Sequence, residues 1–156
     1  KYLFYTTKLI KCFTVTNICM KKTIEKENYL KSLYRFEEKD IEIKVTALSE
    51  SFKVSKSTVS NMINKLVKMG FVDTKPYKPI LLTEKGRIKA IEITSKHRLI
   101  ELYLVNEMNF NVDEVHEIAE EIEHIENSNF FNRMKEILGD AKRDPHGSVI
   151  PKSDKY

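Results

Sequence analysis

The stretch from Thr46 to Gly70 constrains the fold of this chain most. Thr46 to Phe52 reads as a short helix, with Thr46 as N-cap and Ser49 three residues on. Val54-Ser55-Lys56 forms a turn, and Ser55 caps a further helix that runs to Met69 and stops at Gly70, a residue suited to the position just past a helix end. At about 100° per residue this helix divides cleanly. Val59, Met62, Ile63 and Leu66 form one apolar stripe, while Ser57, Asn61, Asn64 and Lys68 point away, flanked by Thr58, Ser60 and Lys65. Short hydroxyl and amide side chains beside lysines suit a major groove, where small polar groups meet base edges and lysines meet phosphates. Any exposed amphipathic helix shares such a division. The order short helix, tight turn, polar-faced helix is more specific, because it is the helix-turn-helix layout.

The flanking segments extend this unit. Thr23 to about Lys39 is predicted as a helix with Ile24, Tyr29, Leu30, Leu33, Tyr34 and Phe36 on its apolar side. Gly70 to Thr74 and Pro79 to Leu82 are predicted strands joined through Lys75-Pro76-Tyr77-Lys78. A basic hairpin directly after a polar-faced helix fits a wing, with Lys75 and Lys78 reaching phosphates or the minor groove. A plain surface hairpin is the alternative.

The second half is read as helical. Thr83 caps a helix to about Glu107, with Ile88, Ile91, Leu99, Leu102 and Leu104 as apolar positions and His97 and Glu101 at i, i+4 spacing. A helix from about Val112 to Glu126 places His116, Glu120, Glu123 and His124 on one face and Val115, Ile118, Ile122 and Ile125 on the other. Two imidazoles and two carboxylates so spaced reach a shared point, and Mn, Fe, Co, Ni and Zn accept this mixed nitrogen and oxygen set. A solvated acidic face with two incidental histidines is the bland alternative. The last helix, about Ser128 to Leu138, is read as capped by Ser128 and ends at Gly139. The tail from Asp140, with Pro145, Gly147 and Pro151, is read as irregular.

Charge is segregated along the chain. The net charge of +4 includes Lys1, Lys8 and Lys11, with no acid before residue 20. Between Ser51 and Lys78 stand six lysines against Asp73 alone, whereas Leu99 to Asn132 holds nine acids and no Lys or Arg. A basic half followed by an acidic half points to nucleic acid at one end and cations at the other. Cys12 and Cys19 imply no disulfide framework, so a cytoplasmic setting is expected. Residues 1–19 are interrupted by Lys8 and Lys11, carry no continuous apolar run, and are read as a non-native or disordered extension before Met20. No membrane segment, glycine-rich phosphate loop or nucleophile motif stands out, so no catalytic residue is expected.

Six stretches in register resemble the diphtheria-toxin-repressor family of metal-dependent transcriptional repressors, including its manganese-transport-regulator branch. They are Glu27 to Tyr34, Val54 to Ser60, Leu82 to Gly86, His97 to Glu101, His116 to His124 and Pro145 to Pro151. The resemblance implies a mainly α protein: a winged helix-turn-helix domain (20–83), a helical metal-binding and dimerisation domain (84–139) and a tail (140–156). On this resemblance the chain is read as a short form without the C-terminal SH3-like domain. It also implies two metal positions. One falls on Asn28, Glu120, Glu123 and His124; the other falls on His97, Glu101 and His116. Glu120 stands where iron-responsive members tend to carry Cys, and a carboxylate there resembles the manganese branch. His116 is closer to the iron-responsive pattern. The manganese branch tends to have carboxylates where this chain has Asn28 and Lys31; Asn28 offers a carbonyl oxygen, whereas a protonated Lys31 cannot ligate and repels a nearby ion. Glu27 compensates if the first helix is rotated, and is a surface residue otherwise.

The implied function is repression of metal-ion homeostasis genes by a homodimer on palindromic double-stranded DNA. Its corepressor is Mn(II) or Fe(II), with Zn, Co or Ni able to substitute in vitro. The expected DNA contacts are Ser55, Ser57, Thr58, Ser60, Asn61, Lys65, Lys75 and Lys78. On this reading Glu123→Gln or His124→Ala abolishes metal-dependent operator binding and leaves fold and dimer intact. The rival readings are a winged-helix regulator with no metal response and, more remotely, a metalloenzyme using His116, Glu120 and His124.

Overall fold

The computed structural model describes residues 23–75 and 78–156. The expected extension at 1–19 and the wing tip at Pro76 and Tyr77 lie outside the described residues. The chain is mainly helical: α1 (residues 23–38), α2 (Val45–Phe52), α3 (Lys56–Lys68), β1 (Val72–Asp73), β2 (Leu81–Leu82), α4 (Glu84–Met108), α5 (Val115–Ile122) and α6 (Ser128–Leu138). The strands pair antiparallel, Val72 with Leu82 and Asp73 with Leu81.

Two apolar cores form. Tyr29, Leu30 and Leu33 of α1 pack with Leu48 of α2, the α3 stripe Val59, Met62, Ile63 and Leu66, and Val72, Leu82 and Ala90. Full burial of such side chains stabilises by about 1.5–3 kcal/mol each, so the α3 stripe fixes which face of that helix remains outside. The second core joins Leu99, Ile100 and Leu104 of α4 to Val115 and Ala119 of α5 and Phe131 and Met134 of α6. The α4 helix has 25 residues, a length of about 37 Å, and contributes to both cores. Between them it buries polar groups instead: Glu92, Thr94, Ser95, Lys96, His97, Arg98 and Glu101. Ile88, read from the sequence as apolar core, is 47% exposed.

Caps explain the helix starts. Ser55 Oγ accepts from Thr58 N at 3.1 Å and Thr83 Oγ1 accepts from Gly86 N at 3.1 Å, as expected from sequence. Thr46 is not a cap; α2 begins at Val45 after Lys44, and Ser49 Oγ instead donates to Thr46 O at 2.8 Å. For α6 the cap is Asn127 rather than Ser128, its side chain accepting from Phe130 N. The helix expected over 112–126 is shorter, because residues 112–114 form a turn and regular helix ends at Ile122. Ile125 consequently leaves the apolar face and is 41% exposed.

The tail is tied down. Arg143 and Val149 form an antiparallel bridge around a turn in which Asp144 Oδ1 accepts from the His146 and Ser148 amides at 2.9 and 2.8 Å. Arg98 anchors the turn from α4: its guanidinium donates to Val149 O at 2.6 Å and to both Glu38 oxygens at 2.8 and 2.7 Å. One buried arginine thus connects α1, α4 and the tail.

Candidate metal centre and nucleic-acid interface

The buried polar segment of α4 meets the acidic face of α5. His97 Nε2 lies 3.0 Å from Glu101 Oε1 and 3.1 Å from His116 Nδ1, and His116 Nδ1 lies 3.2 Å from the same Glu101 oxygen. These donor atoms form a nearly equilateral triangle. Ligands bonded at about 2.0–2.2 Å to one ion sit about 2.8–3.6 Å apart at right-angled or tetrahedral positions, so the triangle fits a transition ion. His97 and Glu101 are buried, whereas the His116 side chain is 46% exposed. A cleft lined by Thr94, His97, Glu101, His116 and His146 opens the site to solvent.

The tail adds a residue that sequence reasoning did not assign. His146 Nε2 is 3.8 Å from Glu101 Oε1, brought there by the Asp144 turn. The available signal was that His146 is the last of only four histidines, within a quoted family stretch; nothing in its spacing linked it to Glu101.

Protonation in the metal-free site follows from the contacts. Burial opposes a charge on His97, but hydrogen bonds to Glu101 and Glu123 outweigh it, so its pKa is raised. Burial likewise opposes ionisation of Glu101, yet the neighbouring imidazoles bring its carboxyl down to about 2. Ligation needs the His97 lone pair, so an incoming ion must displace a proton that the two carboxylates hold. Mn(II) affinity is therefore expected to fall roughly tenfold per pH unit while His97 is protonated in the free chain. Calorimetry at about pH 8 and about pH 6 checks this, and equal affinities would contradict it.

The second expected position is built differently. Glu120 and Glu123 converge, but the Lys31 ammonium lies between them: Nζ is 2.6 Å from Glu120 Oε1 and 2.7 and 2.8 Å from the two Glu123 oxygens. Burial would raise the Glu120 carboxyl, and the Lys31 charge outweighs it and holds it below its ordinary value. Because the helix ends at Ile122, His124 is carried off the α5 face and its Nδ1 contacts Glu27 Oε2 at 2.7 Å. Lys89 joins the same carboxylate at 3.0 Å. Burial would raise the Glu27 carboxyl, and these two partners bring it below the usual range instead. Glu27 thus pairs with the histidine. Asn28 Oδ1 and His124 Nε2 are buried without hydrogen bonds, and His124 Nε2 lies 3.5 Å from Glu123 Oε1. His97, Glu120 and Glu123 offer donor atoms within 4.8 Å of one another, but with the Lys31 ammonium between the two carboxylates the set does not fit a divalent ion.

The two groups are also not separated by α5. His97 Nδ1 lies 2.6 Å from Glu123 Oε2, so one imidazole faces the Glu101–His116 pair with one nitrogen and the Lys31–Glu123 pair with the other.

On α3, Ser57, Thr58, Asn61, Asn64, Lys65 and Lys68 are exposed and Ser60 is half-buried. Ser55 Oγ lies 2.7 Å from Ser57 Oγ and 2.8 Å from Thr58 Oγ1, so these hydroxyls are held together at the helix start. Lys75 and Lys78 stand exposed at either side of the wing tip.

Residues 22–80 match the profile of the iron dependent repressor, N-terminal DNA binding domain, and residues 83–152 that of the iron dependent repressor, metal binding and dimerisation domain. The chain belongs to the iron-dependent repressor family. It is 32% identical over 125 residues to the diphtheria toxin repressor of Corynebacterium efficiens, covering 80% of this chain and 54% of that protein. An HTH-type transcriptional regulator of Methanocaldococcus jannaschii is 36% identical over 110 residues, covering 70% of this chain and 88% of that regulator. Among solved structures, a manganese-dependent transcriptional repressor in complex with manganese superposes with a TM-score of 0.76 at 38% identity, over 83% of this chain and 59% of that one. The chain therefore spans little more than half the length of the diphtheria toxin repressor it matches. The segment that matches the DNA binding domain comes first, and the segment that matches the metal binding and dimerisation domain second.

Proposed function

We propose that this chain is a transcriptional repressor that binds palindromic double-stranded DNA as a homodimer, with Mn(II) or Fe(II) as corepressor, and so controls metal-ion homeostasis genes. The carrying observation is the donor triangle of His97, Glu101 and His116, in which His97 and Glu101 stand on the helix that leaves the DNA-binding core and His116 on α5. The winged helix-turn-helix domain is taken as 20–83, the metal-binding and dimerisation domain as 84–139 and the tail as 140–156. Zn, Co and Ni would enter the same nitrogen and oxygen set in vitro. The cytoplasm suits this role, and among the described residues no helix is long and apolar enough to cross a membrane.

A divalent ion bound at the triangle supplies the positive charge that lets Glu101 and two neutral imidazoles share one point. The chain does the rest. His97 presents Nε2 to that point while its Nδ1 side stays on Glu123, and Glu123 holds Lys31 of α1. Occupancy at the triangle is in this way linked to the helix that carries the first core, and through it to the orientation of α3. Ser55, Ser57, Thr58, Ser60, Asn61 and Lys65 would face the groove, with Lys75 and Lys78 on phosphates. The relative solved with manganese supports Mn(II) as the first ion to test.

Selection of duplexes from a random pool by the full chain tests this reading. Enrichment of a palindromic sequence with Mn(II) present, lost on chelation, is expected. Equal enrichment with and without metal would instead favour a metal-independent winged-helix regulator.

A further inference from the structure

We propose that the Lys31 ammonium is a built-in cation that fills the position between Glu120 and Glu123, so that each chain takes up one divalent ion, at His97, Glu101 and His116, and keeps a second site latent. The inference rests on the metal-binding reading above and concerns how many ions that reading involves.

Three features of the site carry it. The first is saturation: an ammonium has three donors, and Lys31 directs them to three carboxylate oxygens at 2.6, 2.7 and 2.8 Å. Its side chain is 6% exposed and that of Glu123 is fully buried, so an entering ion would have to expel a paired charge from the interior. The second is charge. Where a further carboxylate would favour a divalent ion over an ammonium, Asn28 offers only a neutral carbonyl. The third is a pair of buried atoms without hydrogen bonds, Asn28 Oδ1 and His124 Nε2, the latter 3.5 Å from Glu123 Oε1. Both are atoms of the kind that ligate, and neither makes a hydrogen bond while Lys31 holds the carboxylates.

The consequence is regulatory. The link between α1 and the α5 region, which a dissociable ion would make only when metal is plentiful, is made here by a side chain that cannot leave. Sensing then falls to the His97 triangle alone, and His97 Nδ1 at 2.6 Å from Glu123 couples that triangle to the permanent link.

Bound Mn(II) counted by elemental analysis after equilibrium dialysis of the whole 156-residue chain tests this. The wild type is expected to hold one ion per chain. Lys31→Gln, which removes the charge, is expected to hold two, with a midpoint of thermal unfolding below wild type in chelator and recovered by Mn(II). Lys31→Arg keeps the charge and should hold one. Two ions on the wild type, or one on Lys31→Gln with unfolding indifferent to Mn(II), overturns the proposal. If Lys31→Gln does not fold in metal-free buffer, the wild-type and Lys31→Arg counts decide alone. No ion on the wild type overturns the metal-response reading along with it, whereas two ions leave that reading standing.

Discussion

Replacing Glu123 by Gln is expected to lower the folding free energy of the metal-free protein by about 3–5 kcal/mol. Glu123 is 1% exposed and accepts from Lys31 with both oxygens while contacting His97 Nδ1 at 2.6 Å. An amide of the same shape keeps the packing but carries no charge, so Lys31, itself buried, loses one of its two anionic partners. Removing one member of a buried pair strands the other, and the cost exceeds the net worth of the intact pair. Because the pair joins α1 to the end of α5, the loss should loosen the connection between the two cores as well as the site. From sequence alone the same substitution was expected to leave the fold intact. Urea unfolding in chelator checks the difference, and a change below about 1 kcal/mol would argue that the contact is relaxed by water.

Gly86→Ala should cost about 3 kcal/mol or more, for a different reason. A Cβ at Gly86 would lie 1.9 Å from Phe71 O and 2.8 Å from Phe71 C. Phe71 O cannot yield easily, since it accepts from Thr83 N at 3.0 Å, and Thr83 in turn caps α4 and donates to Gly70 O at 2.7 Å. The start of α4 is therefore wedged against the strand that follows α3. A methyl group there pushes the long helix away from the DNA-binding core, and both thermal stability and DNA affinity should fall. Thermal unfolding compared with Ile88→Ala, a change at an exposed position of the same helix that adds no atoms, separates the clash from a general loss. A Gly86→Ala midpoint equal to wild type would show that α4 can shift freely.

Much of this was legible in the sequence where local chemistry decides structure. The α3 stripe Val59, Met62, Ile63 and Leu66 is the buried face, and Ser55 and Thr83 are caps, because a side-chain oxygen beside free amides is a local event. The end of α5 was not legible. Val115 to Glu126 has no Gly or Pro to stop a helix, and it stops at Ile122 only in the tertiary setting, which moves His124 to Glu27. His97, Glu101 and His116 could be grouped by family resemblance, but the bridge from His97 to Glu123 joins residues 26 apart and follows from no spacing rule. Lys31 illustrates the same limit. Its charge alone suggested repulsion of an ion, whereas the structure shows the ammonium occupying the carboxylates.

Occupancy of the His97, Glu101 and His116 triangle is expected to control DNA binding. The most direct measurement is an Mn(II) titration of DNA affinity, by fluorescence anisotropy on a selected duplex, for the wild type and Glu101→Gln. Glu101 is 2% exposed, and its Oε1 is contacted by both imidazoles. The wild type should gain about 5- to 150-fold in affinity with Mn(II), a coupling of about 1–3 kcal/mol. Glu101→Gln should keep its metal-free affinity and lose that gain. A Glu101→Gln variant that responds to Mn(II) as the wild type does would contradict the account.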